Sequence, residues 1–564
     1  MLRLLIVLLV MVGLMSVTSS VLAQDEFPVP EPDYSNKRPL DFSAFDDALA
    51  GLTDARIAEL DALVIEATIP QLQAAFADGS LTSEELVTYY VQRIRTYDLN
   101  RLNAIIELNP DALASAREKD AERAVGGDFG PMHGIPVLLK DNIAAAGDMH
   151  WTAGAWALRE LQPDRDAFLV QQLRASGAII MGKTNLSEWA NWVDPAMPNG
   201  FSTLGGQTRH PYGPFDPLGS SSGSAVSVAA NLTAVAVGTE TSGSIISPGS
   251  ANSIVALKTS LGLVSRDYVV PLVEAWDVPG PMGRTVTDVA ILLTAMTGTD
   301  VNDSATEGAA ALAGTDFAQF LTLDGIEALR VGYFVADEAY AQSLREKYRD
   351  TITDEAKLEE LIQLLIADYD PAPEVLALLE ASGVELVPIS GAEVPAETVI
   401  PLEVITPGFK FDLNRFLSQL GARAPYSSLE AIIAVDDEDA ANRTPYGHSY
   451  LNVSQDVEIP EDQYRQAVAE LRQTVAAQIN DVMQKHDIDA LLGTKLRYNA
   501  AGFPAITLPQ GYDDTGKPVG LVLTGGYLAE PVLIQIAYAI EQANPARVAP
   551  DLETTIAAID ALEN

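Results

Sequence analysis

Residues 219–244 read GSSSGSAVSVAANLTAVAVGTETSGS and join two hydroxyl-rich loops by one apolar segment. The loops are Gly219–Ser224 and Gly238–Ser244, and glycines flank the serines in both. Between them, Ala225–Val237 contains no charged residue, which predicts a buried helix and strand rather than a flexible linker. Because glycine lets other groups approach the backbone closely, such loops can direct several N–H groups at one point, as a developing oxyanion requires.

Buried strands and helices alternate along the chain on both sides of this region. Short apolar runs predict strands at Ala104–Leu108, Val137–Leu139 and Ala178–Gly182. A helix is predicted to start within Lys183–Ala190, with Thr184 or Asn185 as its cap. We therefore predict an α/β fold with a central mixed, twisted β-sheet that helices cover on both sides.

Composition excludes several classes of function. Hydrophobic residues make up 48% of the 564 residues, which supports a large folded core and argues against global disorder. The net charge of −43, without a visible basic patch, argues against a nucleic-acid partner. The absence of cysteine excludes disulfides, thiolate metal sites and a cysteine nucleophile. The five histidines show no paired ligand spacing, so we predict neither a metal site nor a cofactor.

The N-terminal residues are typical of a secretory signal peptide. Arg3 supplies the positive charge, Leu4–Met15 is apolar, and Val21-Leu-Ala23 forms a cleavage site before Gln24. The apolar run is shorter than the roughly 20 residues of a membrane span, although an uncleaved anchor remains the alternative. We expect a secreted or extracytoplasmic protein without a stable membrane span after cleavage.

Two kinds of serine chemistry fit the first loop. Gly219–Gly223 matches the Gly-x-Ser-x-Gly nucleophile elbow, with Ser221 as nucleophile. That elbow follows a hydrophobic strand and needs a later histidine, whereas a proline-rich segment, Pro211–Pro217, precedes this loop, and the two later histidines lie in unsuitable contexts. Serine chemistry without histidine needs another base, such as a lysine kept neutral by burial. Lys140, at the end of a predicted strand, is the candidate, although a lysine that reaches solvent there is the simpler interpretation.

The segment 219–260 resembles the amidase signature of the amidase-signature hydrolases. That signature pairs a Gly-Ser-Ser-Gly/Ser-Gly-Ser loop with a Gly-Thr/Ser-Asp/Glu-Thr-x-Gly-Ser loop. Further matches are HGIPVLLKDN at 133–142, GKTNLSEWA at 182–190, GPM at 280–282 and GFPAITLP at 502–509. The resemblance covers roughly residues 60–544. Within the family the chain is most similar to bacterial peptide amidases, which share the triple-serine loop and a lead-in like Gln207–Tyr212.

The resemblance implies a role for each residue that matches the family's motifs. Lys140 corresponds to the catalytic lysine, Ser220 to a bridging serine in a cis peptide, and Ser244 to the nucleophile. Ser221 corresponds to a supporting hydroxyl near the lysine. The oxyanion hole would be formed by the N–H groups of Thr241, Ser242, Gly243 and Ser244. No metal or cofactor is implied.

The chain departs from the family pattern at two positions. Many members have Arg where this chain has Ile246, and many have Asp where it has Glu240. Neither change touches the implied relay, but the first leaves the support of the second loop open.

The implied function is that of an exported amidase, which hydrolyses carboxylic amide C–N bonds through an acyl-enzyme. It would be a peptide amidase or a broad aryl or alkyl amidase, with carbamates as a further substrate class. The alternatives are a protein like the amidase component of the tRNA-dependent amidotransferase and a non-catalytic binding protein on the same scaffold. We expect a small-molecule or peptide amide as substrate, and a monomer or homodimer.

The predicted organisation has four parts. A signal peptide (1–23) and a flexible, acidic, proline-rich leader (24–44) precede a single amidase-signature domain (45–545), and a C-terminal tail (546–564) follows. Resemblance is weakest at about 338–463, where we expect the substrate pocket to be shaped. Candidate walls there, each of which also suits a core, are Phe409, Phe411, Tyr426 and Tyr446.

Overall fold

A computed structural model describes residues 33–127, 129–367, 369–394 and 402–562. The predicted signal peptide and residues 24–32 of the leader therefore lie outside the described residues. The described part of the leader contacts the domain: the Arg38 N–H donates to the Leu204 carbonyl (2.8 Å), and Lys37 Nζ donates to Asn103 Oδ1 (3.0 Å).

One large sheet organises the domain. Its eleven strands lie in the order β1-β3-β2-β6-β8-β7-β12-β13-β11-β9-β10, and β4 and β5 form a separate pair. In chain order the strands are β1 Ile105–Leu108, β2 Pro136–Lys140, β3 Ile179–Thr184, β4 Phe201–Ser202, β5 Gly206–Gln207, β6 Val235–Glu240, β7 Val255–Lys258, β8 Val278–Gly283, β9 Arg330–Val335, β10 Glu385–Ser390, β11 Ala490–Leu492, β12 Ala505–Tyr512 and β13 Pro518–Gly525.

The sheet is mixed, as predicted. Strand β2 pairs in parallel with both β3 and β6, and β9 pairs in parallel with β10 and β11. The pairs β1–β3, β6–β8, β7–β8, β7–β12, β12–β13 and β11–β13 are antiparallel. Residues on β2, β3 and β6 are buried throughout, which explains why these strands are continuous apolar runs in the sequence.

Helices flank the sheet, which confirms the predicted fold class. The α-helices of eight or more residues are Asp54–Val64, Ile69–Asp78, Ser83–Arg93, Ala112–Val125, Phe168–Ala175, Ser222–Ala229, Val286–Met296, Glu338–Tyr348, Glu355–Ala367, Pro373–Ser382, Leu402–Leu420, Leu429–Asp437, Glu461–His486, Glu530–Ala543 and Leu552–Leu562. Within the described residues, no helix is both long and apolar enough to span a bilayer.

The segment between the two loops folds as predicted into a helix and a strand. Ser222–Ala229 is a fully buried helix and β6 is a fully buried strand that leads into the second loop. Gly238 on β6 allows the first loop to lie directly against this strand, because an added Cβ would come within 2.9 Å of Ser221 Oγ. The helix and strand therefore set the distance between the loops.

The helix predicted to start within Lys183–Ala190, with Thr184 or Asn185 as its cap, begins later than predicted, at Glu188. β3 continues through Lys183 to Thr184, because this segment pairs with both β1 and β2. Lys183 is fully buried; its Nζ donates to the Ile143 carbonyl (2.5 Å) and lies 3.5 Å from Asp141 Oδ1. The helix that follows is a single turn, Glu188–Asn191, with positive φ at three successive residues.

The C-terminal segment 546–564 contains a helix that packs on the domain. Leu552, Ile556 and Ile559 bury one face of this helix. Before it, Arg547 Nη2 forms an ion pair with Glu66 (2.7 Å). Residues at the two ends of the domain are thus joined directly.

Candidate active site

Lys140 lies at the centre of the parallel part of the sheet. It is the last residue of β2, between β3 and β6, and its side chain is fully buried. Lys140 Nζ lies 2.8 Å from Ser220 Oγ and 3.0 Å from Ser221 Oγ, and it donates to the Thr239 carbonyl at 3.2 Å. The lysine therefore does not reach solvent, which removes the simpler interpretation of this residue.

Burial lowers the pKa of Lys140 to about 7. The negative charges of Asp277 and Glu240 oppose this shift without cancelling it. A substantial fraction of the lysine is consequently neutral near neutral pH, so it can accept a proton.

The first loop presents two buried hydroxyls to this lysine. The Gly219–Ser220 peptide bond is cis, and the Ser220 carbonyl accepts a hydrogen bond from the Ser187 N–H (3.0 Å). Ser221 Oγ donates to the Thr239 carbonyl (3.0 Å) and accepts from the Thr239 N–H (3.2 Å). Ser221 thus anchors the first loop to the end of β6, while Ser220 has only the lysine as its side-chain partner among the described contacts.

The second loop lies against the first. The Ser221 N–H donates to the Ser244 carbonyl (3.2 Å), so the two loops are joined by backbone as well as by the chain between them. Ser244 is 9% exposed, Ser242 is exposed, and Gly243 has a φ of +89°, a conformation that favours glycine. The structure therefore brings Lys140, Ser220 and Ser221 into direct contact and holds Ser244 beside them through its backbone.

Glu240 supports the C-terminal end of the second loop. Its Oε2 accepts hydrogen bonds from the N–H groups of Ile245 (2.8 Å) and Ile246 (3.0 Å), and its Oε1 accepts from the Tyr498 hydroxyl (2.9 Å). The carboxylate thus binds backbone donors directly after Ser244, which gives this end of the loop support without an arginine at position 246. From sequence, Glu240 was recognised only as a departure from the family pattern, and Tyr498 was missed.

Two further side chains hold the other end of this loop, and both were missed from sequence. Asn499 Nδ2 donates to Ser242 Oγ (2.7 Å), and the Thr241 hydroxyl donates to the Asp277 carboxylate. Asn499 and Tyr498 precede the matched segment 502–509, and Asp277 precedes the matched segment 280–282. Their position next to segments that match the family was the sequence signal that could have identified these residues.

A polar cavity of about 510 Å³ is lined in part by Asp277, which accepts the hydrogen bond of the Thr241 hydroxyl, whereas no residue of the second loop itself, all of which the structure describes, lines the cavity. Its charged lining residues are Arg165, Arg266, Asp267, Glu274, Asp277, Asp303 and Arg415. Of the predicted pocket walls, Phe409 packs edge-on against Trp189 (5.9 Å between ring centroids), whereas Phe411 packs on Tyr464. The described residues include no group of three or more His, Asp or Glu that could hold a metal ion.

The chain is similar to several known proteins. The family model described as Amidase matches residues 85–493. A probable amidase of Arabidopsis thaliana is 36% identical over 496 residues, which cover 86% of this chain and 91% of the relative. One component of the glutamyl-tRNA(Gln) amidotransferase of Thermoanaerobacter pseudethanolicus is 30% identical over 509 residues, which cover 86% of this chain and 97% of the relative.

A solved structure resembles the chain in both fold and sequence. The native peptide amidase of Stenotrophomonas maltophilia is 38% identical, with a TM-score of 0.75 over 86% of this chain and 99% of that chain. The match extends over nearly the whole of that enzyme.

Proposed function

The chain belongs to the amidase family and is a hydrolase of amide C–N bonds, and from this premise we propose that it is an exported peptide amidase. We further propose that Ser244 is the nucleophile, Ser220 the proton relay and Lys140 the base. The observation that carries the mechanism is the 2.8 Å contact between Lys140 Nζ and Ser220 Oγ in a fully buried environment.

The acylation step begins with the neutral lysine. Lys140 takes the proton of the Ser220 hydroxyl while Ser220 takes the proton of Ser244. Ser244 Oγ then forms a bond to the amide carbonyl carbon, and the carbonyl π electrons move onto the oxygen. The N–H groups of residues 241–244 donate to that oxygen and stabilise its charge.

Collapse of the tetrahedral intermediate completes the reaction. The electron pair returns to the carbonyl, the C–N bond breaks, and the leaving nitrogen receives a proton from Lys140 through Ser220. A water molecule then attacks the acyl-enzyme ester by the same relay, which releases the carboxylic acid and restores Ser244.

The substrate class is proposed from the cavity and from the solved relative. Charged side chains of both signs line the cavity at Asp277, which is one hydrogen bond away from Thr241 of the second loop. Such a lining favours a polar substrate over a long alkyl chain. The relative of 38% identity is a peptide amidase. We therefore propose that the substrate is a peptide with a C-terminal carboxamide, from which hydrolysis releases ammonia.

A panel of amides tests this assignment. We expect kcat/KM for short amidated peptides to exceed that for fatty amides by about 100-fold or more, because the polar walls penalise burial of an alkyl chain. Ammonia release is measured for amidated peptides, fatty amides, aryl amides and carbamates, with the same peptides carrying a free carboxylate as controls. Preference for fatty or aryl amides would overturn the peptide assignment.

A component of an amidotransferase remains the weaker alternative. The chain is 30% identical to one such protein, against 38% for the peptide amidase. Its net charge of −43 also disfavours approach to tRNA, whose phosphates repel an acidic surface.

Export is proposed from residues 1–23 alone. If the signal peptide is cleaved after Ala23, the protein recovered outside the cytoplasm begins at Gln24. Mass spectrometry of the exported protein measures this directly. An intact Met1 would show that the segment is retained.

A further inference from the structure

The pairing of β8 with β6 places Asp277 beside the second loop. It immediately precedes β8, which runs antiparallel to β6 with Val278 opposite Glu240. The next residues outward on the two strands are Asp277 and Thr241, so the pairing places them side by side. Both are buried, at 7% and 4% exposed.

The Asp277 carboxylate accepts hydrogen bonds on both oxygens. Oδ1 accepts from the Thr241 hydroxyl and the Val273 N–H (3.1 Å), and Oδ2 accepts from the Leu272 N–H (2.8 Å). Burial raises the pKa of Asp277, but these three donors favour its ionised form. Arg266, whose guanidinium is paired with Asp303, adds a further positive charge nearby.

Thr241 connects Asp277 to the second loop. It opens the 241–244 loop, whose other end is fixed by Glu240 through the N–H groups of Ile245 and Ile246. Asp277 therefore anchors the end that Glu240 does not reach. A loop held at both ends presents its N–H groups in one orientation, as oxyanion stabilisation requires.

We propose that Asp277 is a positioning residue for amide hydrolysis: its carboxylate fixes Thr241 and thereby aims the N–H groups of residues 241–244 at the substrate oxygen. This inference rests on the proposed role of Ser244 as nucleophile. Asp277 acts through the Thr241 hydroxyl and through the electrostatic field at Lys140.

The isosteric variant Thr241→Val tests the contact without disturbing the two backbone donors to Asp277. We expect kcat to fall about 10- to 100-fold while KM stays within about threefold, because misaimed N–H groups weaken the transition state more than the ground state. Thr241→Ser keeps the hydroxyl and is expected to restore kcat to within about threefold of wild type.

Asp277→Asn tests the carboxylate itself. Asparagine keeps one acceptor oxygen, but its NH2 group must face either the Thr241 hydroxyl or the Leu272 N–H, so we expect kcat to fall. The loss in the double variant should be smaller than the sum of the two single losses, because both changes act on one contact. The pH profile adds a readout that a purely structural role would not move. Lys140 faces two acidic groups, Asp277 and Glu240. Loss of the Asp277 charge should shift the rising limb of the profile to lower pH, whereas Thr241→Val should leave the limb in place.

Asp288→Asn is the matched control for removal of a buried aspartate. Asp288 Oδ1 accepts from the Ile69 N–H (2.7 Å), and the Asp288 N–H donates to the Thr285 hydroxyl (3.1 Å), so neither partner belongs to the two serine loops. Asp288→Asn should lower stability but leave kcat, KM and the rising limb of the pH–rate profile unchanged. If Asp277→Asn fails to fold, comparison of Thr241→Val with Thr241→Ser still tests whether the contact between Thr241 and Asp277 supports catalysis.

The outcomes separate this inference from the proposed function. Wild-type kcat in Thr241→Val, equal losses in Thr241→Val and Thr241→Ser, or additive losses in the double variant would each overturn the role of Asp277. If Ser244→Ala is inactive in the same assay, any of these results would refute the role of Asp277 but leave the proposed function intact. Activity in Ser244→Ala would instead overturn the proposed function.

Discussion

Ser244→Ala is expected to lower kcat for amide hydrolysis by about 10⁴-fold or more. The variant removes the atom that forms the acyl-enzyme, and the remaining oxyanion donors and the relay cannot replace a nucleophile. Ammonia release from an amidated peptide measures the loss. The exchange removes one hydroxyl from a nearly buried side chain, so stability should change by only about 1 kcal/mol.

Ser247→Ala is the control for this change. Ser247 lies three residues after Ser244 in the same segment but outside the proposed relay. The kcat of Ser247→Ala should therefore stay within about threefold of the wild-type value. Full activity in Ser244→Ala, with thermal unfolding like that of wild type, would contradict the assignment of the nucleophile.

Lys140→Met is expected to lower kcat/KM by about 10³-fold or more, because methionine fills the buried site without offering a base. In the wild type, activity requires the neutral lysine. The rate should therefore rise with pH and level off above the pKa of Lys140, which is about 7. An exposed lysine would instead have a pKa of about 10.4. Measurement of kcat/KM from about pH 5 to pH 9 locates this rise in rate, which is the rising limb of the pH–rate profile.

Lys258→Met is the matched control for loss of a buried lysine. Lys258 is also fully buried, its Nζ donates to the Phe503 carbonyl (2.7 Å), and burial lowers its pKa to about 8. Its removal should cost stability but leave the limb near pH 7 in place. A limb that moves with Lys258 rather than Lys140 would show that Lys140 is not the base.

Local sequence was sufficient for the two loops and the segment between them. Apolar periodicity predicts the helix and strand within 225–237, and serine and glycine content predicts the loops. Burial of Lys140 was not decided by its neighbours in sequence. It follows from the position of β2 between β3 and β6, which is a property of the whole sheet.

The partners that support the second loop could not be predicted from sequence. Asp277, Tyr498 and Asn499 come from distant segments, and only the pairing of β6 with β8 and the fold of the 498–501 turn bring them to residues 240–242. The helix start predicted at Thr184 or Asn185 is wrong for a related reason. Pairing with β1 and β2 extends β3 over residues whose local pattern suggests a helix start.

The measurement that tests the central claim most directly is the site of acylation. An activated aryl ester of the peptide acid acylates quickly and leaves deacylation rate-limiting, so the acyl-enzyme accumulates as a burst. Acid quench followed by peptide mass spectrometry then locates the acyl group. We predict that it lies on Ser244 and is lost in Ser244→Ala and strongly reduced in Lys140→Met. An acyl group on Ser220, on Ser221 or on any other residue would contradict the account.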